Sequence, residues 1–373
     1  MARYKFGEIA FNITTKAFPK PEDKDTYIGL EHLDSGSLHV TRWGTPVEIT
    51  GQKLVMHKGD ILFGRRNTYL KRVAIAPHDG LFSAHGMIFR PNTDVIDPTL
   101  FPFFIASDYF MDAAIRISVG SLSPTVNWKD LKELVFELPP LPEQVKLAEL
   151  FGQIEATIQA QEKSLQKAVE LRNSFYSTTQ SPEYFSKRGY SYRLGTIGTE
   201  YSICNNLRKP ISQAERASMQ GKYPYWGPTS ILDHINEYRL DGEYALIGED
   251  GDHFLKYLSW DMTHLLSGKF NVNNHAHVIK AANGNLLKWF YYYYKHRNIE
   301  DKLTKQGGGR LKLTKATLLN LEMIIPDAEI QKMLCEQYDT MESTIDAIKV
   351  KIDSTRRIMR DMSYLSFRYN EVE

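Results

Sequence analysis

The chain repeats itself, and each copy ends in a long helix. Leu138–Gln144 reads LPPLPEQ and runs into VKLAELFGQIEATI; Ile325–Gln331 reads IPDAEIQ and runs into KMLCEQYDTMESTI, 187 residues later. Three more matches keep the same order. Tyr4–Ile9 returns as Tyr192–Ile197 at an offset of 188, Gly59–Gly64 as Gly242–Gly248 at 183, and His85–Arg90 as His275–Lys280 at 190. Leu131–Pro139 likewise returns as Leu318–Pro326 at 187. A drift of a few residues is what loop insertions produce between two copies of one unit. A chain of 373 residues has room for two such domains.

The helices carry the tightest pattern. Positions alternately four and three apart in the first are Leu147, Phe151, Ile154, Ile158, Gln161, Leu165, Ala168, Arg172 and Phe175. Adding 187 gives Leu334, Tyr338, Met341, Ile345, Ile348, Ile352, Thr355, Met359 and Met362. Most are apolar, and the residues between them are mainly charged or polar. That is the seam of a coiled coil, sustained in both copies. The plainer alternative is one face of a helix lying on a globular core, which usually shows a broader stripe. Pro142 suits a first helical turn, and Glu143 and Asp327 place negative charge at the positive end of a helix dipole. Pro182 is expected to stop the first helix, and Arg356, Arg357 and Arg360 favour the C-terminal end of the second. Between Glu143 and Ser177 the first helix is roughly 50 Å long at ~1.5 Å per residue. A pseudo-twofold pairs the helices antiparallel, with Leu147 near Met362 and Gln161 near Ile348. The pair would act as a rod holding two related heads apart.

Residues 1–138 and 190–325 show short apolar runs broken by Gly, Pro, Asn and Asp. Asp60–Phe63, Val73–Ala76, Gly86–Phe89, Tyr244–Ile247 and Ala276–Ile279 read as strands. Phe101–Ala106 and Leu286–Tyr294 read as helix or buried strand, with the tyrosine run packed on a sheet. Each head is strand-rich and mixed, with no βαβ rhythm, so the fold class is α+β. Apolar content of 42% is enough for ordinary cores. No apolar run approaches the ~18 residues of a membrane span, and the N-terminus lacks a signal-peptide pattern. Cys204 and Cys335 suggest neither a metal site nor a disulfide framework, which makes a reducing cytoplasm the default.

Charge is uneven within this chain of net charge +1. Lys53, Lys58, Arg65, Arg66, Lys71 and Arg72 stand against a lone Asp60. The centre of that stretch, GRRNTYLKR, mixes side chains that hold phosphates and read base edges; a solvated basic loop is the plainer reading. Ser118–Trp128 and its counterpart Lys305–Thr314 are Gly- and Ser-rich loops ahead of a helix, able to expose backbone N–H groups to a phosphate. Asn127 and Thr314 equally suit helix caps. Lys222–Trp226 and Gly248–His253 are polar and aromatic loops of the kind that carry function. His85 and His275 recur beside apolar strands, where a structural histidine is the expectation.

No phosphate-binding loop, His-Glu-x-x-His, paired Cys-x-x-Cys, Asn-Pro-Pro-Tyr or Asp-Pro-Pro-Tyr is present. Glu249, Asp250 and Asp252 suggest a cation site, but nothing matches them in the first head, so no metal is expected. The chain reads as a binder with no catalytic residues.

Several of these stretches, taken together, resemble one family. They are Gly59–Arg66, Lys71–Ala76, Ser83–Met87, Val119–Trp128 and Leu138–Gln144, and the family is the specificity subunit of type I restriction–modification enzymes. The likeness spans nearly the whole chain in two copies. It implies two target recognition domains, at 1–140 and 185–326, and two spacer helices, at 141–180 and 327–365, packed antiparallel. Each domain would read one half of a split double-stranded DNA site. The helices would set the gap and dock two modification subunits, which bind S-adenosylmethionine and methylate adenine. A separate restriction subunit would use ATP to cleave DNA. No cofactor is implied for this chain, since S-adenosylmethionine, Mg and ATP belong to the partners. The DNA-contact candidates are Arg65, Arg66, Asn67, Tyr69, Lys71, Arg72, Ser121 and Ser123 in the first domain. In the second they are Lys222, Tyr223, Tyr225, Trp226, Lys305, Arg310 and Lys312. The second copy has Gly-Glu-Asp-Gly where the first has Gly-Arg-Arg-Asn, so it should read with other loops. With near-zero net charge, weak non-specific DNA binding is expected of the chain alone. Two other readings stay open: a protein–protein adaptor with two heads on a coiled coil, and an enzyme with a site at Glu249, Asp250, Asp252 and His253.

Overall fold

The computed structural model describes residues 1–305 and 310–367. It divides into two compact units: residues 1–162 with the chain from Val350 onward, and Lys163–Lys349. Among the described residues no helix is long and apolar enough to cross a membrane.

In the first unit the strand before the long helix closes the domain on its own N-terminus. Ala2–Lys5 pairs antiparallel with Val135–Leu138, with Tyr4 opposite Phe136. A four-stranded antiparallel sheet follows in the order Ala10–Ile13, Met87–Pro91, Ile61–Phe63, Val73–Ile75. A second sheet joins Lys16–Ala17, Lys53–Met56 and Gly80–Phe82. Phe101–Ala106 is a helix, followed by Asp108–Arg116, which Ser107 caps. Their apolar faces meet the strands through packed rings, with Phe104 edge-on to Phe136 at 5.3 Å among them. Such pairs contribute beyond their buried area.

The second unit repeats the plan. Tyr192–Thr196 pairs with Glu322–Pro326, and Tyr201–Ile203, Ala276–Ala281, Tyr244–Gly248 and Thr263–Leu266 form a sheet of the same order. The tyrosine run is the helix Leu287–Lys295, its rings packed into the core against Thr263–Leu266 and Tyr244–Gly248. The second sheet differs: it has four strands, and Tyr225–Trp226 runs parallel to Asn271–Val272.

The duplicated proline-and-glutamine motif is the joint between each sheet and its helix. Gln144 is 1% exposed; its Oε1 accepts the Asp97 N–H at 2.8 Å and its Nε2 donates to the carbonyls of Val95 at 3.0 Å and Pro139 at 2.8 Å. Gln331, its counterpart, accepts the Leu286 N–H at 3.0 Å and donates to Asn285 Oδ1 at 3.0 Å and the Pro326 carbonyl at 2.8 Å. Leucine at either position strands one donor and two acceptors in a dry environment. Gln144→Leu and Gln331→Leu should each lower the unfolding free energy by about 2 kcal/mol, read as a shift in urea midpoint. An unchanged midpoint would mean that the joint tethers nothing.

The helices themselves run Leu141–Thr179 and Ala328–Phe367. Of the seam residues, Phe151, Ile158, Leu334, Tyr338, Ile345 and Ile352 are buried, and Leu147, Ile154, Leu165, Met341 and Ile348 are half-buried. Within each unit the two helices run antiparallel. In the first, Phe151 stacks on Phe367 at 6.4 Å, Gln161 donates to Thr355 Oγ1 at 3.2 Å, and Arg356 meets Glu162 at 2.6 Å. In the second, Tyr176 donates to Glu342 at 2.8 Å and Thr179 meets the Tyr338 hydroxyl at 2.7 Å. This corrects the expected register. Gln161 faces Thr355 rather than Ile348, seven residues further along. Pro182 also does more than stop a helix, since it opens a short new one, Pro182–Arg188, capped by Ser181.

Candidate nucleic-acid interface

In the first unit the two segments singled out by sequence form one surface. Strand Ile61–Phe63 leads through Gly64 to Arg65 and Arg66. Arg66 bridges Thr125, which itself bridges Val119. The Val126 N–H donates to the Arg65 carbonyl at 3.0 Å, and Arg65 Nη2 donates to Asn127 Oδ1 at 2.9 Å. Asn127 therefore holds Arg65 and gives no side-chain cap to the helix after it. Ser121 is exposed and Ser123 half-buried on either side of Leu122, which is 97% exposed. Arg66 is exposed, with Nη1 3.4 Å from His85 Nδ1. Partial burial, helped by Arg66, Lys53 and Arg65, holds the His85 imidazole below its usual pKa. Asp60 does not offset this basic surface, because it is buried against Arg90 at 2.5 and 3.0 Å.

The rest of the basic stretch turns elsewhere. Asn67 and Lys71 both adopt left-handed backbone, with φ of 52° and 48°, around the short turn Thr68–Leu70. For a lysine that conformation persists only when tertiary contacts hold it. Lys71 Nζ lies 2.6 Å from Asp108 and 2.8 Å from Asp112, one helical turn apart. Burial opposes its charge, but the two carboxylates outweigh that and hold the ammonium pKa above normal. The Lys71 amine, expected at DNA, is thus committed to two carboxylates of its own fold. Tyr69 and Lys71 line a separate cleft of about 780 Å³ with Phe151, Arg356 and Arg357. Arg72 is half-buried, its carbonyl accepting the Gly64 N–H at 2.9 Å.

The second unit builds the same junction with its charges exchanged. Strand Tyr244–Gly248 ends in Glu249 and Asp250, and these meet the segment that matches Thr125. The Leu313 N–H donates to the Glu249 carbonyl at 2.7 Å, and Asp250 bridges Lys312. The strand end is acidic and the facing loop basic. Glu249 meets Arg208 at 2.7 Å and Lys312 at 3.2 Å, while Asp250 meets Arg310 at 2.5 Å and His275 at 2.9 Å. Burial would raise the Glu249 pKa, but Arg208, His277 and Lys312 hold it below normal. Both carboxylates are committed to ion pairs. Lys305 is exposed on a strand paired with Leu311–Lys312. Gln306–Gly309 of the glycine loop lie outside the described residues. Thr314 caps the following helix, accepting the Thr317 N–H at 3.1 Å.

Lys222 lies 5.4 Å above the Tyr223 ring, Tyr223 packs on Tyr238 at 4.9 Å, and Lys269 lies 4.5 Å above Tyr238. This is an exposed row of cations and aromatics suited to a nucleic acid. Trp226 is half-buried beside His264. Tyr225 is corrected: it is buried, and its hydroxyl accepts the Ile211 N–H at 2.9 Å and donates to the Lys209 carbonyl at 3.0 Å. That ring belongs to the core. The histidine reading changes too. One structural histidine of the second unit is buried His277, held by Asn205 and the Leu313 carbonyl, each at 2.8 Å. His85 and His275 stand at the surface instead. Arg208, Tyr238 and Lys269 were not singled out in the sequence, because their partners lie 15 or more residues away.

Two sheet domains of one plan, each joined to a long helix and presenting a polar strand-end junction, define a tandem recognition scaffold. The model of the type I restriction modification DNA specificity domain matches residues 7–171 and again 201–354. The chain belongs to that family and carries its domain twice. It is 34% identical over 142 residues to a putative type I restriction enzyme specificity subunit of Haemophilus influenzae, S.HindORF215P, covering 38% of this chain and 34% of that one. It is 25% identical over 223 residues to the EcoDI specificity subunit of Escherichia coli, covering 58% and 49%. The matches thus span about a third to a half of those relatives' lengths. The crystal structure of a type I restriction–modification S subunit from M. genitalium shares the fold, with a TM-score of 0.61 at 13% identity over 98% of this chain and 96% of that one.

Proposed function

We propose that this chain is the DNA-recognition subunit of a type I restriction–modification complex. Each unit reads one half of a split double-stranded site. The helix pair sets the number of base pairs between the halves and docks two modification subunits. The chain performs no chemistry; methylation with S-adenosylmethionine, and cleavage with ATP and Mg where a restriction subunit joins, belong to the partners. The observation that carries this is the strand-end junction built twice at equivalent positions, each time with exposed arginine. Lysines such as Lys222 and Lys305 suit phosphates, which position the protein, while base edges supply the choice of sequence.

The test is methylation mapping in cells that carry the chain with a type I modification subunit. A two-part motif with an unspecified gap is expected. Removing one heptad from both helices, 162–168 and 349–355, shortens each by ~10 Å, so the gap should shrink by roughly three base pairs with both half-motifs kept. A continuous motif, or an unmoved gap in a variant that still methylates, would defeat the proposal.

A further inference from the structure

Each unit sets an arginine beside a histidine at the same place in its sheet, and the two pairs are assembled by different routes. In the first, Arg66 follows strand Ile61–Phe63 and His85 precedes the neighbouring strand Met87–Pro91, with 3.4 Å between Nη1 and Nδ1. In the second, His275 again precedes the neighbouring strand, but Asp250 stands in the place of Arg66. The guanidinium comes instead from Arg310, on the facing segment. Asp250 is 7% exposed, and its two oxygens are divided between Arg310 Nη2 at 2.5 Å and His275 Nδ1 at 2.9 Å. A buried carboxylate thus fixes two surface side chains at once. The Arg310 side chain remains 57% exposed.

Four other cations of these junctions are engaged. Arg65 holds Asn127, Lys71 holds Asp108 and Asp112, and Arg208 and Lys312 hold Glu249. Among the described residues, Arg66 meets no carboxylate, and Arg310 meets only one that grips a single edge of its fork. A guanidinium has five N–H donors in a rigid plane, so an edge held from behind leaves the remaining donors aimed outward. A phosphate needs no such aim. The O6 and N7 of guanine do, because they accept a bidentate pair in the major groove.

Resting on the DNA-recognition reading above, we propose that Arg66 and Arg310 are the base-reading residues of their units. Each reads a guanine, and Asp250 is the positioning residue for Arg310. The duplicated domain has kept an arginine–histidine reader at one place while moving its cation from strand end to loop.

The experiment is methylome mapping of the assembled complex carrying single variants, with affinity measured on the cognate site and on single-base-pair mismatches. Arg66→Ala should relax one position in one half-motif, and Arg310→Ala one position in the other, each losing about 5- to 100-fold discrimination there. Arg310→Lys keeps the charge but not the fork and should relax the same position, which guards against a folding defect in the alanine variant. Asp250→Asn should relax that position too, and Asp250→Asn in the Arg310→Ala background should add no further relaxation. Uniform weakening on all sequences with an intact motif would make these arginines phosphate contacts and overturn the inference while leaving DNA recognition standing. Loss of discrimination spread over several positions in the Asp250→Asn variant would overturn its positioning role. Absence of any split motif with the parent chain would instead defeat the reading on which the inference rests.

Discussion

Replacing Glu342 with leucine should cost the Lys163–Lys349 unit about 4 kcal/mol, one of the largest losses available to a single substitution in it. Glu342 lies on the second long helix at the centre of a buried charged cluster. Its Oε2 is 2.9 Å from Lys295 Nζ, and its Oε1 accepts the Tyr176 hydroxyl at 2.8 Å and stands 3.7 Å from Arg172 Nη1. The side chains of Lys295 and Arg172 are 6% and 7% exposed. Burial alone would push the Glu342 carboxyl up, but Lys295, Tyr176 and Arg172 hold it below the usual range. Leucine leaves Lys295 with no buried carboxylate, only the half-solvated Asp261 at 3.4 Å and the Tyr291 ring at 5.2 Å. Arg172 keeps the Leu258 carbonyl at 2.9 Å and its neighbour Asn173. An unpaired ammonium in a low-dielectric site is the costly species, not the lost pair itself. Lys295→Met in the same chain should therefore recover most of the loss. Urea unfolding of parent, Glu342→Leu, Lys295→Met and the double variant decides the matter: strictly additive losses would mean that the two groups do not compensate each other.

What the residues disclosed in advance, and what they did not, divides along a physical line. Period and punctuation are local. They exposed the duplication and a seam whose members all lie buried or half-buried. The helix register was not legible, because a heptad seam looks the same after a shift of seven. Only particular pairs, such as Gln161 with Thr355 and Arg356 with Glu162, choose between the registers. The interface was legible only in part. The stretch GRRNTYLKR reads as one basic loop, yet two left-handed residues bend it so that Arg66 and Lys71 serve different surfaces. Tyr225 looked like a stacking ring because its hydroxyl partners lie 14 and 16 residues upstream, on a segment that no pattern ties to it. The exchange of charge between the two junctions was visible as Gly-Glu-Asp-Gly against Gly-Arg-Arg-Asn. Its compensation by Arg310 was not, since the partners meet only across a folded sheet edge, 60 residues apart.

Acid should destabilise the Lys163–Lys349 unit well above the range where carboxylates titrate, and His253 gives the reason. Its imidazole is buried beside Phe254, with ring centroids 4.0 Å apart, and its Nε2 has no partner among the described residues. Burial pushes its pKa down from 6.5 to about 4; His264 adds to the depression, while Asp250 and Asp252 oppose it. His296 is pushed to about 4 as well, by burial and then by Arg172, against the pull of the Tyr257 carbonyl and Asp261. The unfolded chain binds a proton at each site near pH 6.5, whereas the folded chain refuses it until about pH 4. Between those values unfolding takes up protons, so stability is full above pH 6.5, falls as pH falls, and levels off for these groups below about 4. For His253 alone the span is worth about 3 kcal/mol. His253→Gln removes the titration, so its stability should fall with pH less steeply by one proton's worth, about 1.4 kcal/mol per pH unit across that window. Urea unfolding at pH 7, 6, 5 and 4.5 for both proteins measures the two slopes, and equal slopes would show that the buried imidazole is not the group that makes the fold acid-sensitive.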